Sequence, residues 1–129
     1  CLVGSEMCIR DSNEDILPDT PLSEVEKMLE NVEADVVLCG HTHIPCGFQT
    51  ESRKTVVNAG SIGRTFFVEP NSYPKACYLI IEVDNGSCVF QHQFVEYDKE
   101  QASEKLAARE FEGADKLAGM LINPEIRHF

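Results

Sequence analysis

Val36-Val37-Leu38-Cys39-Gly40-His41-Thr42-His43 is the most informative run of this chain. The apolar residues within 35–39 predict a strand buried on both faces, as in a parallel sheet. Gly40 allows a sharp turn after that strand, so the loop can aim two imidazoles at different points. Imidazole is a ligand of zinc, manganese or iron, and open α/β sheets bind ligands at the carboxyl ends of their strands. His41 and His43 are therefore candidate metal ligands, the alternative being polar loop histidines without a ligand role.

The flanking sequence predicts an α/β domain. Asp19-Thr20-Pro21 offers a helix cap and a proline at the first helical position, before apolar residues at near-helical spacing. After the histidines, turn residues 51–54 and Asn85-Gly86 each separate two strand-like runs, which predicts two hairpins. The predicted elements are a helix through Leu22, Val25, Leu29 and Val32, strands 46–50, 55–58, 76–84 and 87–97, and helices 99–109 and 114–122.

A second candidate segment is Val56-Val57-Asn58-Ala59-Gly60-Ser61-Ile62-Gly63-Arg64. It runs from an apolar strand into a glycine-bearing loop, which can bring backbone donors and the side chains of Asn58 and Ser61 near an anion. A turn that merely needs glycine explains Gly60 equally well. The segment gains weight because it follows the histidine pair after one hairpin.

Composition narrows the class of protein. The chain has 129 residues and a formal net charge of −11, so its surface is unsuited to neutralising a nucleic-acid backbone. A small anionic substrate is compatible with this charge if a metal supplies local positive charge. No window reaches the roughly 18 apolar residues of a membrane helix. The six cysteines form no CxxC pair, which favours reduced thiols and a cytoplasmic protein.

Residues 1–12 are interpreted separately. This segment resembles an in-frame translation of a transposase adapter used in DNA sequencing, with Met7-Cys8-Ile9-Arg10-Asp11 at its end. Such segments are excluded from fold reasoning, the alternative being a genuine N-terminus. We therefore expect residues 13–129 to be the C-terminal part of a single domain whose natural N-terminus is missing.

Helix, buried strand, Gly40-His41-Thr42-His43, hairpin and Asn58-Ala59-Gly60-Ser61 together resemble the C-terminal half of a calcineurin-like metallophosphoesterase, nearest to the small bacterial and archaeal phosphodiesterase branch. The resemblance implies a four-layer αββα sandwich of mixed sheets flanked by helices. It also implies two divalent metals, manganese, iron, nickel or zinc, and hydrolysis of a small phosphoester, a phosphodiester above all, by a metal-bound hydroxide.

Carried over by motif, His41 is implied as a ligand of one metal and His43 as a ligand of the other. Asn58, Gly60 and Ser61 are implied to border the substrate. The upstream motifs that supply the family's other ligands, including its bridging aspartate, are absent from the sequence. Because a catalytic metal needs about three protein ligands, we expect this chain to bind metal weakly and to lack activity, with no catalytic residue of its own.

Other interpretations remain open at this point. Some proteins of the same fold, such as the retromer scaffold subunit, have lost catalysis and act as interaction modules. A structural zinc site could use Cys39, His41, His43 and Cys46, although this spacing is tighter than usual. His92 alternates with phenylalanines on one strand face, which predicts a packed, hydrogen-bonded histidine, and His128 lies next to the terminus.

Overall fold

The computed structural model describes residues 2–5, 15–64 and 75–123. The proposed adapter junction at residues 12–13, and His128, lie outside these ranges. The described elements are β1 (Leu2–Ser5), α1 (Leu22–Met28), β2 (Val36–Cys39), β3 (Cys46–Gln49), β4 (Thr55–Asn58), β5 (Ala76–Asp84), β6 (Ser87–Val95), α2 (Lys99–Ala107) and α3 (Ala114–Ile122). None of the helices in these ranges has the length and apolar character needed to cross a membrane.

The strands form two sheets. The first has the order β1-β2-β4-β3, in which β1, β2 and β4 run parallel and β3 is antiparallel to β4. The second is the antiparallel pair β5-β6. The predicted parallel environment of β2 and both predicted hairpins are confirmed. The predicted fold class, an α/β arrangement of two sheets flanked by helices, is confirmed, with the first sheet mixed and the second antiparallel. The pairing of β1 does not test the adapter origin of residues 1–12, which stays a prediction.

A small apolar core joins α1 to the first sheet. Val25 and Leu29 belong to α1 and the turn that follows it, and they pack against Val37 of β2 and Val56 of β4. Val25 and Val56 are completely buried. Because β-branched side chains stand well on a pleated surface, these valines suit a sheet covered by a helix. The core fixes β2 and β4 side by side.

The start of α1 differs from the sequence prediction. Pro21 is the N-cap residue, with ψ 134°, and the first helical residue is Leu22. The Thr20 hydroxyl accepts a hydrogen bond from the Leu17 amide at 2.8 Å and closes the preceding turn. Because the N-cap residue is a proline, which has no polar side chain, α1 has no side-chain cap, and the predicted cap was wrong.

The turn between β3 and β4 is held by α1. Strand β3 ends at Gln49, one residue before the predicted end. The Glu26 carboxylate of α1 accepts hydrogen bonds from the Ser52 amide at 2.6 Å and from its hydroxyl at 2.8 Å. These bonds lower the pKa of Glu26, the amide bond contributing most. Arg53 turns the chain with φ 66°.

The second sheet is a hairpin with the predicted turn. Asn85 and Gly86 have φ of 46° and 81°, the positive values that a two-residue hairpin turn requires. Strand β6 ends at Val95, two residues before the predicted end. Apolar side chains toward the turn remain exposed, Val83 by 63% and Val89 by 59%.

The last two helices pack against each other. Asp98 caps α2 by accepting a hydrogen bond from the Gln101 amide at 2.8 Å. The Ser103 hydroxyl donates to the Ala118 carbonyl of α3 at 2.9 Å, and Ala118 is buried. Helix α2 ends at Ala107, before the predicted Arg109, whereas α3 has the predicted bounds.

Candidate metal centre

Two loops leave the same edge of the first sheet. Cys39 at the end of β2 is in register with Asn58 at the end of β4, and these strands are parallel. The Ala59 amide also donates to the Cys39 carbonyl at 3.2 Å. The segment from Gly40 to His43, called here the histidine loop, therefore starts beside the segment from Asn58 to Arg64, called here the glycine loop. The two motifs therefore lie side by side at this edge of the sheet.

The histidine loop has an unusual backbone. His41 and His43 have φ of 65° and 61°, in the left-handed region that residues with a Cβ rarely adopt. Each such residue costs on the order of 1–2 kcal/mol, so surrounding contacts must hold it. The sequence predicts the turn at Gly40, whereas the positive angles fall on the histidines. A local hydrogen bond from the Thr42 amide to the Gly40 carbonyl, at 2.7 Å, tightens the turn.

Asn58 braces this strained loop from below. Its side chain is fully buried, and its Nδ2 donates to the Gly40 carbonyl at 3.0 Å and to the Thr42 hydroxyl oxygen at 2.9 Å. Its Oδ1 accepts from the Gly60 amide at 2.9 Å. Thr42 is itself only 2% exposed. One amide side chain thus fastens the histidine loop to the glycine loop.

The two histidines point to different partners. His41 is exposed, and its Nε2 lies 3.8 Å from an Asp15 carboxylate oxygen. His43 is half-buried, and its Nδ1 lies 2.8 Å from the Arg64 carbonyl oxygen. Because a carbonyl oxygen only accepts, Nδ1 must carry the hydrogen, which leaves the lone pair of His43 on Nε2. A backbone carbonyl on one ring nitrogen is the usual support of a metal-binding histidine.

The donors suit part of a metal site. Within residues 15–64 and 75–123, no group of three or more histidine, cysteine, aspartate or glutamate side chains is placed to share one ion. A catalytic metal needs about three protein ligands and an open position. The chemistry and separate aim of His41 and His43 fit two members of a larger ligand set.

The structural zinc hypothesis is wrong for this geometry. Cys39, His41, His43 and Cys46 are not brought together as one cluster among the residues that the structure describes. The Cys39 thiol instead lies 3.7 Å from the Val57 carbonyl, to which it donates. Burial raises the pKa of Cys39 to about 12 and also raises the pKa of Cys46. Zinc binds thiolates, and burial opposes their formation.

The glycine loop depends on one close approach. Gly60 has φ 77°, and a Cβ there would lie 2.9 Å from the Cys77 sulfur of β5. The Ser61 carbonyl accepts from the Cys77 amide at 2.8 Å, and the Ser61 hydroxyl accepts from the Arg64 amide at 3.1 Å. Only glycine combines this angle with this contact. The predicted substrate roles of Asn58, Gly60 and Ser61 stay predictions; their observed roles are in shaping the edge of the site.

His92 is a packed, hydrogen-bonded histidine, as predicted. It is half-buried on β6, and its Nε2 lies 2.7 Å from the Asn58 carbonyl oxygen. Sequence reasoning missed three contributors, namely Asp15, Thr42 and the Arg64 carbonyl. The threonine between two histidines was a usable signal, because a short hydroxyl side chain readily bonds a nearby backbone. The contact with the Arg64 carbonyl could not be predicted, because every residue type has a backbone carbonyl.

Fold and loops define an α/β domain with two histidines at the carboxyl edge of a mostly parallel sheet. A model of the calcineurin-like phosphoesterase superfamily domain matches residues 11–86, which is more than half of the chain. The protein belongs to this superfamily. A comparison with curated proteins finds no match.

One solved structure shares the fold of this chain, and two others are similar to part of it. A hypothetical protein from Pyrococcus horikoshii OT3 is 26% identical with a TM-score of 0.66, and the match covers 91% of this chain and 45% of that one. The chain therefore spans less than half the length of that relative. A predicted phosphoesterase from Streptococcus pneumoniae TIGR4 is 20% identical, covers 57% of this chain and 39% of its own, and has a TM-score of 0.45. Vps29 complexed with zinc from Entamoeba histolytica is 18% identical, covers 57% and 44%, and has a TM-score of 0.34.

Proposed function

We propose that this chain contributes His41 and His43 to a two-metal centre that hydrolyses a phosphodiester. The observation that carries the proposal is the strained histidine loop, in which both histidines have a positive φ and Asn58 holds the residues on either side of His41. Strain of this kind persists only where the surrounding structure enforces it, and it concentrates at functional sites. Membership of the phosphoesterase superfamily supports the same reaction class.

Each histidine has a distinct part in the proposal. His43 would bind one ion through Nε2, because its Nδ1–H is directed at the Arg64 carbonyl. His41 would bind the second ion from the exposed side of the loop, next to Asp15. Divalent ions held there would act as Lewis acids on a phosphoryl oxygen and would lower the pKa of a bound water. The remaining ligands would come from sequence upstream of this chain.

The glycine loop would form the wall beside the substrate. Asn58 would act from beneath by keeping both loops at a fixed separation, since its amide bonds to each of them. Gly60 and Ser61 would hold the loop close to β5 and leave its outer edge facing the ions. We propose a small phosphodiester as substrate, with manganese, iron, nickel or zinc as metal. We also propose a cytoplasmic protein that does not bind nucleic-acid backbones.

Hydrolysis of bis(p-nitrophenyl) phosphate tests the proposal. The complete gene product, purified with Mn²⁺, should hydrolyse this diester, whereas the 129-residue chain should not. His41→Ala and His43→Ala in the complete product should each lower kcat/KM by about 100-fold or more, because a metal ligand is lost. His128→Ala is the matched control for removing an imidazole elsewhere.

Two results would contradict the proposal. Full activity in both ligand variants would place the reaction at another site. Absence of hydrolysis for mono- and diesters, together with replaced upstream ligands in the complete sequence, would favour the interaction scaffold of the same fold.

A further inference from the structure

We propose that His92 is a positioning residue that holds the histidine loop in place from the second sheet; this inference rests on the proposed function of His41 and His43. His92 lies on β6, opposite Leu79 of β5, and is not part of either loop. Its Nε2 lies 2.7 Å from the Asn58 carbonyl oxygen. Because that oxygen only accepts, His92 donates from Nε2.

The hydrogen bond between His92 and the Asn58 carbonyl joins the two sheets where the glycine loop begins. Asn58 ends β4 in the first sheet, and His92 belongs to the second. Two neighbouring contacts also join β5 of the second sheet to the glycine loop. The Cys77 amide donates to the Ser61 carbonyl at 2.8 Å, and Cys77 packs against Gly60. Second-sheet residues thus contact Asn58, Gly60 and Ser61, which form the start of the glycine loop.

Asn58 passes this constraint to the histidine loop. The carbonyl of Asn58 is held by His92, and the side chain of the same residue binds the Gly40 carbonyl and the Thr42 hydroxyl. A shift of the Asn58 backbone therefore moves the clamp on both sides of His41. Since both histidines adopt costly left-handed conformations, a loosened clamp lets the loop relax away from metal-binding geometry.

The surroundings of His92 argue against a role in packing alone. It alternates on β6 with Phe90 and Phe94, and its ring centroid lies 6.4 Å from that of Phe94. An apolar side chain would fill such a position without the desolvation cost of a polar ring. A histidine is favoured there because it reaches the Asn58 carbonyl while its ring still packs with its neighbours.

Hydrogen exchange and metal binding by the 129-residue chain test this role. His92→Leu removes the donor and keeps an apolar side chain, His92→Gln keeps an N–H donor, and Gln91→Leu is an exposed control on the opposite face of β6. We expect the Gly60 amide to exchange about tenfold faster in H92L, the effect of losing one hydrogen bond. The H92Q and Q91L variants should stay close to the unmodified chain.

Co²⁺ is the metal probe, because its paramagnetism broadens the ring signals of His41 and His43. We expect H92L to weaken Co²⁺ binding at these rings about three- to tenfold, and H92Q to restore most of the affinity. A purely structural role would lower the free energy of unfolding without this loss of affinity in the folded chain. Unchanged Gly60 exchange and unchanged Co²⁺ affinity in H92L would overturn the inference.

The unmodified chain could fail to bind Co²⁺, or H92L could fail to fold, and each result has a defined reading. If Co²⁺ leaves both rings of the unmodified chain unaffected, metal binding by this chain alone is contradicted, and exchange of the Gly60 amide alone decides whether His92 positions the loop. If H92L does not fold, His92→Asn replaces it, because the shorter amide does not reach Asn58. Faster Gly60 exchange in H92N than in H92Q supports the inference, and equal exchange overturns it.

Discussion

The two sheets bury the same kinds of side chain to very different extents. In the first sheet Val37 and Val56 are 6% and 0% exposed, because α1 covers them. In the second sheet exposure rises along one face of β5, from 1% at Cys77 to 63% at Val83. Cys77 lies beneath the glycine loop, and Val83 lies next to the hairpin turn. Burial in the second sheet is thus concentrated where that sheet supports the candidate site.

The largest expected effect comes from breaking the brace between the loops. Asn58→Ala removes three side-chain hydrogen bonds at a fully buried position. We expect the free energy of unfolding to fall by roughly 3–4 kcal/mol, since each lost bond costs about 1 kcal/mol and leaves buried partners unsatisfied. Urea denaturation measures this change. Asn31→Ala, at an exposed position, is the matched control. An equally small change in both variants would show that the Asn58 side chain does not stabilise the two loops.

The next largest effect comes from the contact between the sheets. Gly60→Ala forces a residue with a Cβ into φ 77° and places that Cβ 2.9 Å from the Cys77 sulfur. We expect a loss of about 2–3 kcal/mol from backbone strain and overpacking. Gly63→Ala, where a Cβ would meet nothing within 4 Å, should change stability by less than about 0.5 kcal/mol. Thermal unfolding of the pair gives the comparison, which equal melting temperatures would contradict.

A pair of valines compares the two sheets directly. Val56→Ala should destabilise the chain by roughly 2 kcal/mol, because it leaves a cavity under α1. Val89→Ala, at a side chain that is 59% exposed, should stay within about 0.5 kcal/mol. Urea midpoints measured side by side test the contrast. A large loss for Val89→Ala would show that the far end of the second sheet is covered in solution.

The smallest effect is a dependence of stability on pH. Hydrogen bonds from Ser52 lower the pKa of Glu26 below 4.5, so its contribution is present above pH 4.5 and is lost as the pH falls through the lowered value. Glu26→Gln should therefore flatten the fall in unfolding free energy below about pH 4.5. Ser52→Ala, which keeps the amide donor, should flatten it less. Identical slopes in all three proteins would contradict the assignment.

Local sequence signals predicted most of the fold. Asn85-Gly86 predicted its hairpin because only residues that tolerate positive φ suit that turn. The apolar run before Cys39 predicted a strand with parallel neighbours, and β1 and β4 lie on its two sides. Helix and strand ends were less predictable. Pro21 is the N-cap residue where the sequence predicted the first helical position, and the Thr20 hydroxyl bonds to the Leu17 amide.

The sequence predicted which residues form the candidate site, but not their backbone angles or their contacts with one another. His-x-His spacing indicated His41 and His43, but the backbone strain on both depends on contacts with Asn58, which lies 15 residues further along the chain. Sequence patterns indicated a substrate contact for Asn58, whereas its observed bonds are internal. Its amide is equally able to bind substrate or backbone, and only the register of β2 with β4 places it under the histidine loop.

Metal content shows whether His41 and His43 are ligands of two different ions. The complete gene product, purified in the presence of Mn²⁺ and measured by inductively coupled plasma mass spectrometry, should hold about two ions per chain. His41→Ala and His43→Ala should each hold at most about one ion per chain, and His128→Ala should keep both. Two ions per chain in both ligand variants would show that neither histidine is a metal ligand.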